Sequence, residues 1–207
     1  MGERALTKTS EISAKDVAAL RARTGAGMMD CKHALEETKG DIEKAVELLR
    51  KKGIAKGEKR AGRGAKEGAI ASYVHFNGKV GVLVELNCET DFVARTEDFQ
   101  GLAKDLALHI ASADPVAVAV EDVPADVVAR EREIYRAQAA ESGKPEGVWD
   151  RMVEGKLKKF YEERVLLEQP FVKDDKQTVG QLVKAVSGKV GENVIVRRFA
   201  RFQLGDQ

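Results

Sequence analysis

The sequence has few of the residues on which several classes of protein depend. Its 207 residues include two cysteines, four prolines and one tryptophan, and aromatic residues make up 5% of the chain. Two cysteines as far apart as Cys31 and Cys88 do not form a disulfide framework, so we expect both to be free thiols. Hydrophobic residues at 43% and charged residues at 33% are instead typical of a globular chain with a sizeable core.

Long hydrophobic runs are missing as well. No apolar run approaches the roughly 18 residues that a membrane span needs. The first residues, MGERALTKTSEISAKD, lack the apolar centre of a signal peptide. We therefore expect a cytoplasmic protein without a membrane partner.

The chain as a whole lacks an excess of charge of one sign, but one segment has it. The net charge is +1, so no global field attracts nucleic acid. Between Arg50 and Gly68, eight basic residues stand against two acidic ones. This segment has two interpretations, either a solvated linker or an arm that contacts RNA phosphates. Because no aromatic residue lies among the basic ones, we expect no specific recognition of nucleic acid.

The common motifs of nucleotide sites and covalent catalysis are also absent. The chain has no G-x-x-x-x-G-K-[S/T], no G-x-G-x-x-G after a strand, no H-E-x-x-H, no C-x-x-C and no G-x-S-x-G. The histidines His33, His75 and His109 are scattered and do not match the ligand spacing of a zinc site. We expect no cofactor, no metal, no direct nucleotide binding and no enzymatic activity. A lone histidine on a helix, such as His109, is expected to be a satisfied, partly buried side chain.

Hydrophobic spacing in the first quarter of the chain predicts a compact module of three short helices. Ser13 and Asp16 form a capping arrangement before the first helix, and Asp41 is placed to cap the third. Gly53 is predicted to end the third helix after a basic last turn. The start of the chain is thus divided into an N-terminal tail (1–12), the helical module (13–53) and a basic linker (54–67).

From Gly68 the hydrophobic pattern changes to alternation. The segment AIASYVHFNGKVGVLVELNC predicts a hairpin with Asn77 and Gly78 at its turn. Thr96 is predicted to cap a long helix, further helices follow, and ENVIVRRFARFQL predicts a closing strand. Two early strands and one at the end predict an α+β core over 68–207, in which the last strand pairs back onto a small antiparallel sheet.

The junction NCETDFVART, where the second strand meets the next helix, allows two interpretations. Thr90 and Asp91 are ordinary capping residues, and Phe92 is then a core side chain. Alternatively, the turn projects Phe92 toward a partner. A similar question concerns Met28 and Met29, since adjacent helical residues cannot both face one core. We expect one buried and one exposed methionine, and an exposed methionine suits a protein-binding surface.

Three stretches of the chain resemble one protein family. LRARTGAGMMDCKHAL and the following GDIEKAVELLRKKG closely resemble the N-terminal module of the bacterial translation elongation factor Ts family. VGVLVELNCETDFVAR resembles the core motif of that family, and residues 142–182 look like its C-terminal signature. The resemblance runs from about Ser13 to Leu204, and TGAGMMDCK and NCETDFV are long motifs of unusual composition.

The resemblance implies a function in translation. Members of this family are guanine nucleotide exchange factors for elongation factor Tu, the GTPase that delivers aminoacyl-tRNA to the ribosome. By resemblance, the three helices are a ubiquitin-associated-like module that docks on the GTP-binding domain of Tu. The corresponding contact candidates on this module are Arg21, Met28 and Met29.

For the core, the resemblance implies a segment that displaces magnesium from Tu, namely Thr90, Asp91, Phe92 and Val93. His75, near the hairpin tip, is a secondary contact candidate. Longer members of the family carry two related core halves, whereas here one hairpin holds both signatures. The chain therefore resembles the short form, in which two chains supply what the long form has in one. We expect a homodimer that binds two Tu molecules.

Two other functions stay open from the residues alone. The three helices and the basic linker would suit a nucleic-acid-binding module of the helix-turn-helix kind. The net charge of +1 and the low aromatic content argue against it. A ubiquitin-type adaptor is the second alternative, because small three-helix modules bind partners in several settings, and the core motif would then be structural.

Overall fold

The computed structural model describes residues 12–206, so all of the predicted N-terminal tail except Ile12 lies outside the described residues. The fold is α+β, as predicted, with three helices followed by a small antiparallel sheet and further helices. The α-helices are α1 (Ala14–Thr24), α2 (Met28–Glu37), α3 (Ile42–Glu58), α4 (Asp91–Ala94), α5 (Glu97–Ala113), α6 (Ala125–Glu141), α7 (Trp149–Arg164) and α8 (Val179–Val190). The strands are β1 (Glu67–Val74), β2 (Val80–Cys88), β3 (Pro170–Phe171), β4 (Asp174–Thr178) and β5 (Ile195–Gln203).

The main sheet has three antiparallel strands in the order β1-β2-β5, which confirms that the last strand pairs back onto the early hairpin. Strand β2 turns four buried side chains toward the inner face, namely Val82, Val84, Leu86 and Cys88. Helix α5 covers this face with an apolar stripe that consists of Phe99, Leu102, Leu106 and Ile110. The alternate side chains of β2 and the apolar stripe of α5 therefore pack together in one core.

The opposite side of the sheet carries large apolar side chains that stay exposed. We call it the outer sheet face, and it consists of Ile70 and Val74 on β1, Leu83 on β2, and Ala200 and Phe202 on β5. The strand register sets Val74 and Phe202 in one row across β2, and Leu83 opposite Ala200. The four larger side chains are between 49% and 71% exposed. The row of Ile70 also contains the ion pair of Glu85 and Arg198 on the same face. Exposed apolar side chains grouped in this way typically mark an interaction site.

The three N-terminal helices close over a small core of their own. Five side chains of this core have no exposed surface, namely Leu20, Cys31, Ala34, Leu35 and Ala45. The Ser13 hydroxyl accepts a hydrogen bond from the backbone N–H of Asp16, and the Asp41 carboxylate accepts one from that of Lys44. Both predicted helix caps are therefore confirmed.

Helix α3 is longer than the sequence predicts. Gly53 does not end it, and the helix continues to Glu58. The prediction is wrong because Gly53 and Gly57 face α8, and packing against a second helix outweighs the low helix propensity of glycine. The first residues of the predicted basic linker are thus helical, and a turn over 59–63 leads toward β1. The domain boundaries drawn from the sequence stay predictions.

Helices α3 and α8 cross at a separation that only glycine allows, and we call this contact the glycine crossing. A Cβ atom on Gly57 would lie 2.1 Å from the carbonyl oxygen of Lys184. A Cβ atom on Gly188 would lie 2.1 Å from the carbonyl oxygen of Gly53. Because both neighbours are backbone atoms, no side-chain rotation relieves these contacts. The crossing therefore joins the N-terminal bundle directly to the core.

Two hairpins complete the fold. Helices α6 and α7 pack against each other and bury a small cluster around Ala117, Val123 and Val165. Strands β3 and β4 form a separate two-stranded sheet that the sequence pattern does not predict, because DDKQT in β4 has no hydrophobic alternation. No helix in the described part of the chain is both long and apolar enough to cross a membrane.

His109 lies on the buried face of α5, with 1% of its surface exposed. Its Nδ1 accepts a hydrogen bond from the backbone N–H of Val172 at 3.2 Å, so Nε2 carries the proton and donates to Oε1 of Gln169 at 3.0 Å. Burial lowers the pKa of the His109 imidazole below its ordinary value. The prediction of a satisfied histidine is confirmed, and the structure holds it in the neutral form.

The glycine crossing can be tested with a matched pair of substitutions in helices. Gly188→Ala should lower the free energy of unfolding by about 1–3 kcal/mol, because the new Cβ collides with the backbone of Gly53. Gly101→Ala on α5, where a Cβ meets nothing within 4 Å, should raise it by about 0.5–1 kcal/mol through helix propensity. Urea titration followed by circular dichroism measures both, and equal effects at the two positions would contradict the crossing.

The neutral His109 predicts a loss of stability in mild acid. The unfolded chain binds a proton at an ordinary histidine pKa of about 6.5, whereas the folded protein resists it. The unfolded state therefore takes up more protons as the pH falls, and this group should lower the free energy of unfolding as the pH falls from 7.5 to 5.5. His109→Asn should be less stable at pH 7.5 but should show a smaller drop. An unchanged pH dependence in this variant would refute the assignment.

Candidate functional site

The segment Thr90–Val93 lies where β2 ends and the four-residue helix α4 begins, and we call it the 90–93 turn. Thr90 is extended, with φ −131° and ψ 155°, and its Oγ1 accepts a hydrogen bond from the backbone N–H of Val93. Thr90 is thus an N-cap, as its residue type predicts. Thr96 caps the following helix α5 in the same way, through the backbone N–H of Phe99. Two successive caps give the chain a sharp corner at this end of the sheet.

Neighbouring side chains of the 90–93 turn have opposite surroundings. Phe92 is 78% exposed, whereas Val93 is only 9% exposed and belongs to the main core together with Ala94. The interpretation of Phe92 as a core side chain is therefore wrong. The sequence pattern misses this because it cannot say which residue of so short a helix faces inward. Val93 and Ala94 anchor the turn, and Phe92 projects from it.

The charge of Asp91 is paired within the turn itself. Its Oδ2 accepts a hydrogen bond from the guanidinium of Arg95 at 2.6 Å, one helical turn further on. The Arg95 side chain is 76% exposed, and that of Asp91 is half-buried. Exposed pairs of this type contribute at most about 1 kcal/mol, so a partner surface competes easily for either charge.

Contacts from both sides fix the backbone of the 90–93 turn. The Cys88 thiol donates to the carbonyl oxygen of Thr90 at 3.1 Å, and the Thr96 hydroxyl donates to that of Val93 at 2.8 Å. Burial raises the pKa of the Cys88 thiol, and the nearby negative charge of Glu192 adds to this effect. The thiol therefore stays protonated and keeps its donor role. Glu192 itself comes from the loop between α8 and β5 and lies against the start of the turn.

His75 lies at the tip of the β1–β2 hairpin, where the backbone N–H of Gly78 donates to its carbonyl oxygen at 2.8 Å. The central residues of this turn are therefore Phe76 and Asn77, and the two-residue Asn-Gly turn that the sequence predicts is not formed, although Gly78 has φ 68°. The Nδ1 of His75 is 2.9 Å from the hydroxyl of Tyr73. The ring of Phe76 packs against its imidazole at a tilt of 52°, with centroids 4.4 Å apart, and Phe76 is 92% exposed. The tip thus presents two adjacent rings to solvent.

The structure does not bring His75 and Phe92 together within one chain. The hairpin tip precedes β2 and the 90–93 turn follows it, so the two lie at opposite ends of the same strand. At about 3.3 Å per residue, the strand alone separates them by roughly 27 Å. One partner surface can therefore contact both groups of a single chain only if it spans the whole length of the sheet.

The third set of predicted contact residues lies at one corner of the N-terminal bundle. Arg21 is in the last turn of α1, and Met28 and Met29 are in the first turn of α2. Met28 is 45% exposed and Met29 is 59% exposed, so the expectation that one of them is buried is wrong. The reason is that α2 turns its inner face to the core only from Cys31 onward. Both thioethers are therefore available to a partner.

Two residues near these groups are not found by sequence reasoning. Phe76 sits beside a histidine in a turn, and only its exposure distinguishes it from an ordinary aromatic residue. Glu192 follows the glycine that ends α8 and is more than a hundred positions from the turn that it contacts. No spacing rule connects residues so far apart. Among residues 12–206, no three His, Cys, Asp or Glu side chains are grouped to hold a metal ion.

Comparison with known proteins gives the family. The sequence matches the family model described as "Elongation factor TS" over residues 2–206. The elongation factor Ts of Desulforamulus reducens is 57% identical over 197 residues, which cover 95% of this chain and 91% of that protein. The elongation factors Ts of Fervidobacterium nodosum and Thermosipho melanesiensis are 57% and 58% identical, matched over 100% of their own length and over 95% and 94% of this chain. This chain therefore belongs to the elongation factor Ts family.

Proposed function

We propose that this chain is a guanine nucleotide exchange factor that acts on elongation factor Tu during translation elongation. Membership of the elongation factor Ts family supports this function. The structural observation that carries it is the exposed Phe92, held out by the buried Val93 next to it. The protein acts by contact with Tu and makes or breaks no covalent bond. Neither a nucleic-acid-binding module nor a ubiquitin-type adaptor is favoured by this family.

Phe92 is suited to act as a wedge. A GTPase holds GDP through backbone amides, a lysine and a Mg²⁺ ion that bridges protein and phosphates. An exchange factor stabilises a conformation of the GTPase in which these contacts are lost. An aromatic ring that enters a gap between two helices favours such a state, because packed helices shift between discrete arrangements. Burial of an exposed Phe side chain contributes about 2–3 kcal/mol to that shift.

Asp91 brings a carboxylate to the same short helix, directly before the wedge residue in the sequence. We propose that the 90–93 turn displaces the magnesium ion of Tu, with Asp91 exchanging its exposed partner Arg95 for a group of Tu. The weakness of that exposed pair supports such an exchange.

The relative concentrations of GTP and GDP set the direction of exchange. Because coupling is reciprocal, the factor weakens GDP binding to Tu by the same ratio as GDP weakens binding of the factor. The factor needs no nucleotide site of its own to do this. Net replacement of GDP by GTP then follows from the cellular excess of GTP.

The N-terminal bundle (13–53) serves in this proposal as the docking module. Arg21, Met28 and Met29 form an exposed corner with one charge and two flexible thioethers, which adapts well to a protein surface. The glycine crossing links this corner to the core that carries Phe92. Docking and wedge insertion are thus coupled through packed helices.

We also propose that the protein is a homodimer that binds two Tu molecules. The outer sheet face supports this, because four of its large apolar side chains are exposed and a second copy would cover them. The separation of His75 from Phe92 supports it too. A two-fold axis across the middle of β2 brings the hairpin tip of one protomer toward the 90–93 turn of its partner. Each Tu would then contact the wedge of one protomer and His75 of the other.

Removal of the wedge tests the exchange function. Phe92→Ala should reduce the acceleration of GDP release from Tu by about thirtyfold or more, as expected for a central hot-spot side chain. Because Phe92 is exposed, circular dichroism and the melting temperature should stay at their wild-type values. The measurement is the release of fluorescently labelled GDP from elongation factor Tu in excess unlabelled GDP. Ile134→Ala, an exposed apolar truncation on α6, is the control and should release GDP at the wild-type rate.

Substitution on the outer sheet face tests the homodimer. Leu83→Glu introduces a charge at the centre of that face and should convert the protein from dimer to monomer at micromolar concentration. Light scattering coupled to gel filtration measures the mass. The matched control is Ile134→Glu, which should remain a dimer. A wild-type protein with the mass of one chain would contradict the proposal.

A further inference from the structure

We propose that Glu192 is a positioning residue of the exchange factor, which holds the 90–93 turn in the conformation that projects Phe92. This inference rests on the proposed function and adds to it a residue outside the motif. Glu192 lies in the loop between α8 and β5, where no family motif described above assigns a role. Its carboxylate contacts the start of the 90–93 turn, although the two are about a hundred positions apart in the sequence.

The Glu192 carboxylate accepts three hydrogen bonds from the start of the turn. Its Oε2 accepts from the backbone N–H of Glu89 at 3.1 Å and from that of Thr90 at 3.0 Å. Its Oε1 accepts from the Thr90 hydroxyl at 2.6 Å. Hydrogen bonds to an ionised carboxylate are shorter and stronger than neutral ones. One side chain thus satisfies both backbone donors and orients the hydroxyl that caps α4.

The contact is reciprocal. Glu89 Oε1 accepts a hydrogen bond from the backbone N–H of Asn193 at 2.7 Å, so each glutamate binds the backbone next to the other. Asn193 is buried and donates through its Nδ2 to the carbonyl oxygen of Arg63 at 2.7 Å. The loop after α8 therefore ties together the 90–93 turn and the segment that follows α3.

Glu192 is itself held in place by α8. Gly191 ends the helix with φ 84°, a conformation that glycine adopts without strain. The hydroxyl of the buried Ser187 donates to the carbonyl oxygen of Glu192. Because α8 also carries the glycine crossing, the position of Glu192 is set by the same helix that holds the N-terminal bundle.

A wedge needs this kind of support because it makes few contacts of its own before docking. Phe92 is exposed, so nothing except the backbone of a four-residue helix determines where its ring points. A mobile turn would have to be ordered at the moment of docking, at a cost in conformational entropy. The hydrogen bonds of Glu192 order it in advance.

Substitution of Glu192 should therefore slow exchange, because Phe92 is then no longer held in its projecting position. Glu192→Gln keeps the shape of the side chain but removes its charge and one acceptor, and should lower the maximal rate of GDP release by about threefold to tenfold. Glu192→Ala should lower it further. The concentration of factor at half-maximal rate should change less, because the N-terminal bundle still docks. Glu168→Gln, an exposed glutamate that changes the net charge equally, is the control.

A double-mutant cycle separates positioning from general stability. In a Phe92→Ala background, Glu192→Gln should change the maximal rate by less than about twofold, because the residue to be positioned is gone. The melting temperature should instead respond to Glu192→Gln equally in both backgrounds. Equal loss of rate with and without Phe92 would overturn the proposal, and so would a wild-type maximal rate in Glu192→Gln.

Hydrogen exchange of the free protein supplies a readout that does not depend on Tu. The amides of Glu89 and Thr90 should exchange about tenfold faster in Glu192→Gln than in the wild type, with the β2 amides unchanged. Unchanged exchange at these two amides would also overturn the proposal. If the wild-type protein fails to accelerate GDP release, the proposed function fails. If it accelerates release and the Glu192 variants match it, only the positioning role fails.

Discussion

The close approach of α3 and α8 is the constraint on which the rest of the structure depends. The two backbones touch at Gly57 and Gly188, where a Cβ atom would lie 2.1 Å from a carbonyl oxygen of the other helix, so no larger residue fits at either position. The N-terminal bundle is attached at one end of α3. The loop that carries Glu192 is attached at one end of α8. The crossing thus links the corner that carries Arg21, Met28 and Met29 to the turn that carries Phe92.

The main core also allows Phe92 to stay exposed to solvent without loss of the fold. Val93 and Ala94 are buried beside the strand end. Cys88 and Thr96 donate hydrogen bonds to carbonyl oxygens of the turn, and Glu192 accepts hydrogen bonds from Thr90. The energy that holds the turn comes from neighbours of Phe92 and not from Phe92 itself. Its apolar surface therefore remains available for binding. Substitution of Phe92 should therefore affect binding and leave the stability of the protein unchanged.

Most of the architecture is readable from local pattern. The alternation in β2, the helical stripe of α5 and the caps at Ser13 and Asp41 each depend on neighbours within a few positions, and all are confirmed. The predicted end of α3 is wrong. Glycine on its own favours the end of a helix, and Gly53 stays inside α3 only because it packs against α8. The role of Glu192 could not be predicted for the same reason, since the residues that it contacts are more than a hundred positions away. What a local pattern cannot supply is a contact between segments that are distant along the chain.

The length of β2 has a consequence for how the site is assembled. Since His75 and Phe92 lie at its two ends, the two candidate half-sites of a single chain are separated by the length of the strand. An antiparallel arrangement of two sheets is the simplest way to set unlike half-sites side by side, and the exposed side chains of the outer sheet face lie on the surface that such an arrangement buries. Dimerisation and exchange would then share one physical cause. In the proposed dimer, β2 of the partner would run the other way beside β2 of the first protomer and would bring a hairpin tip to each 90–93 turn.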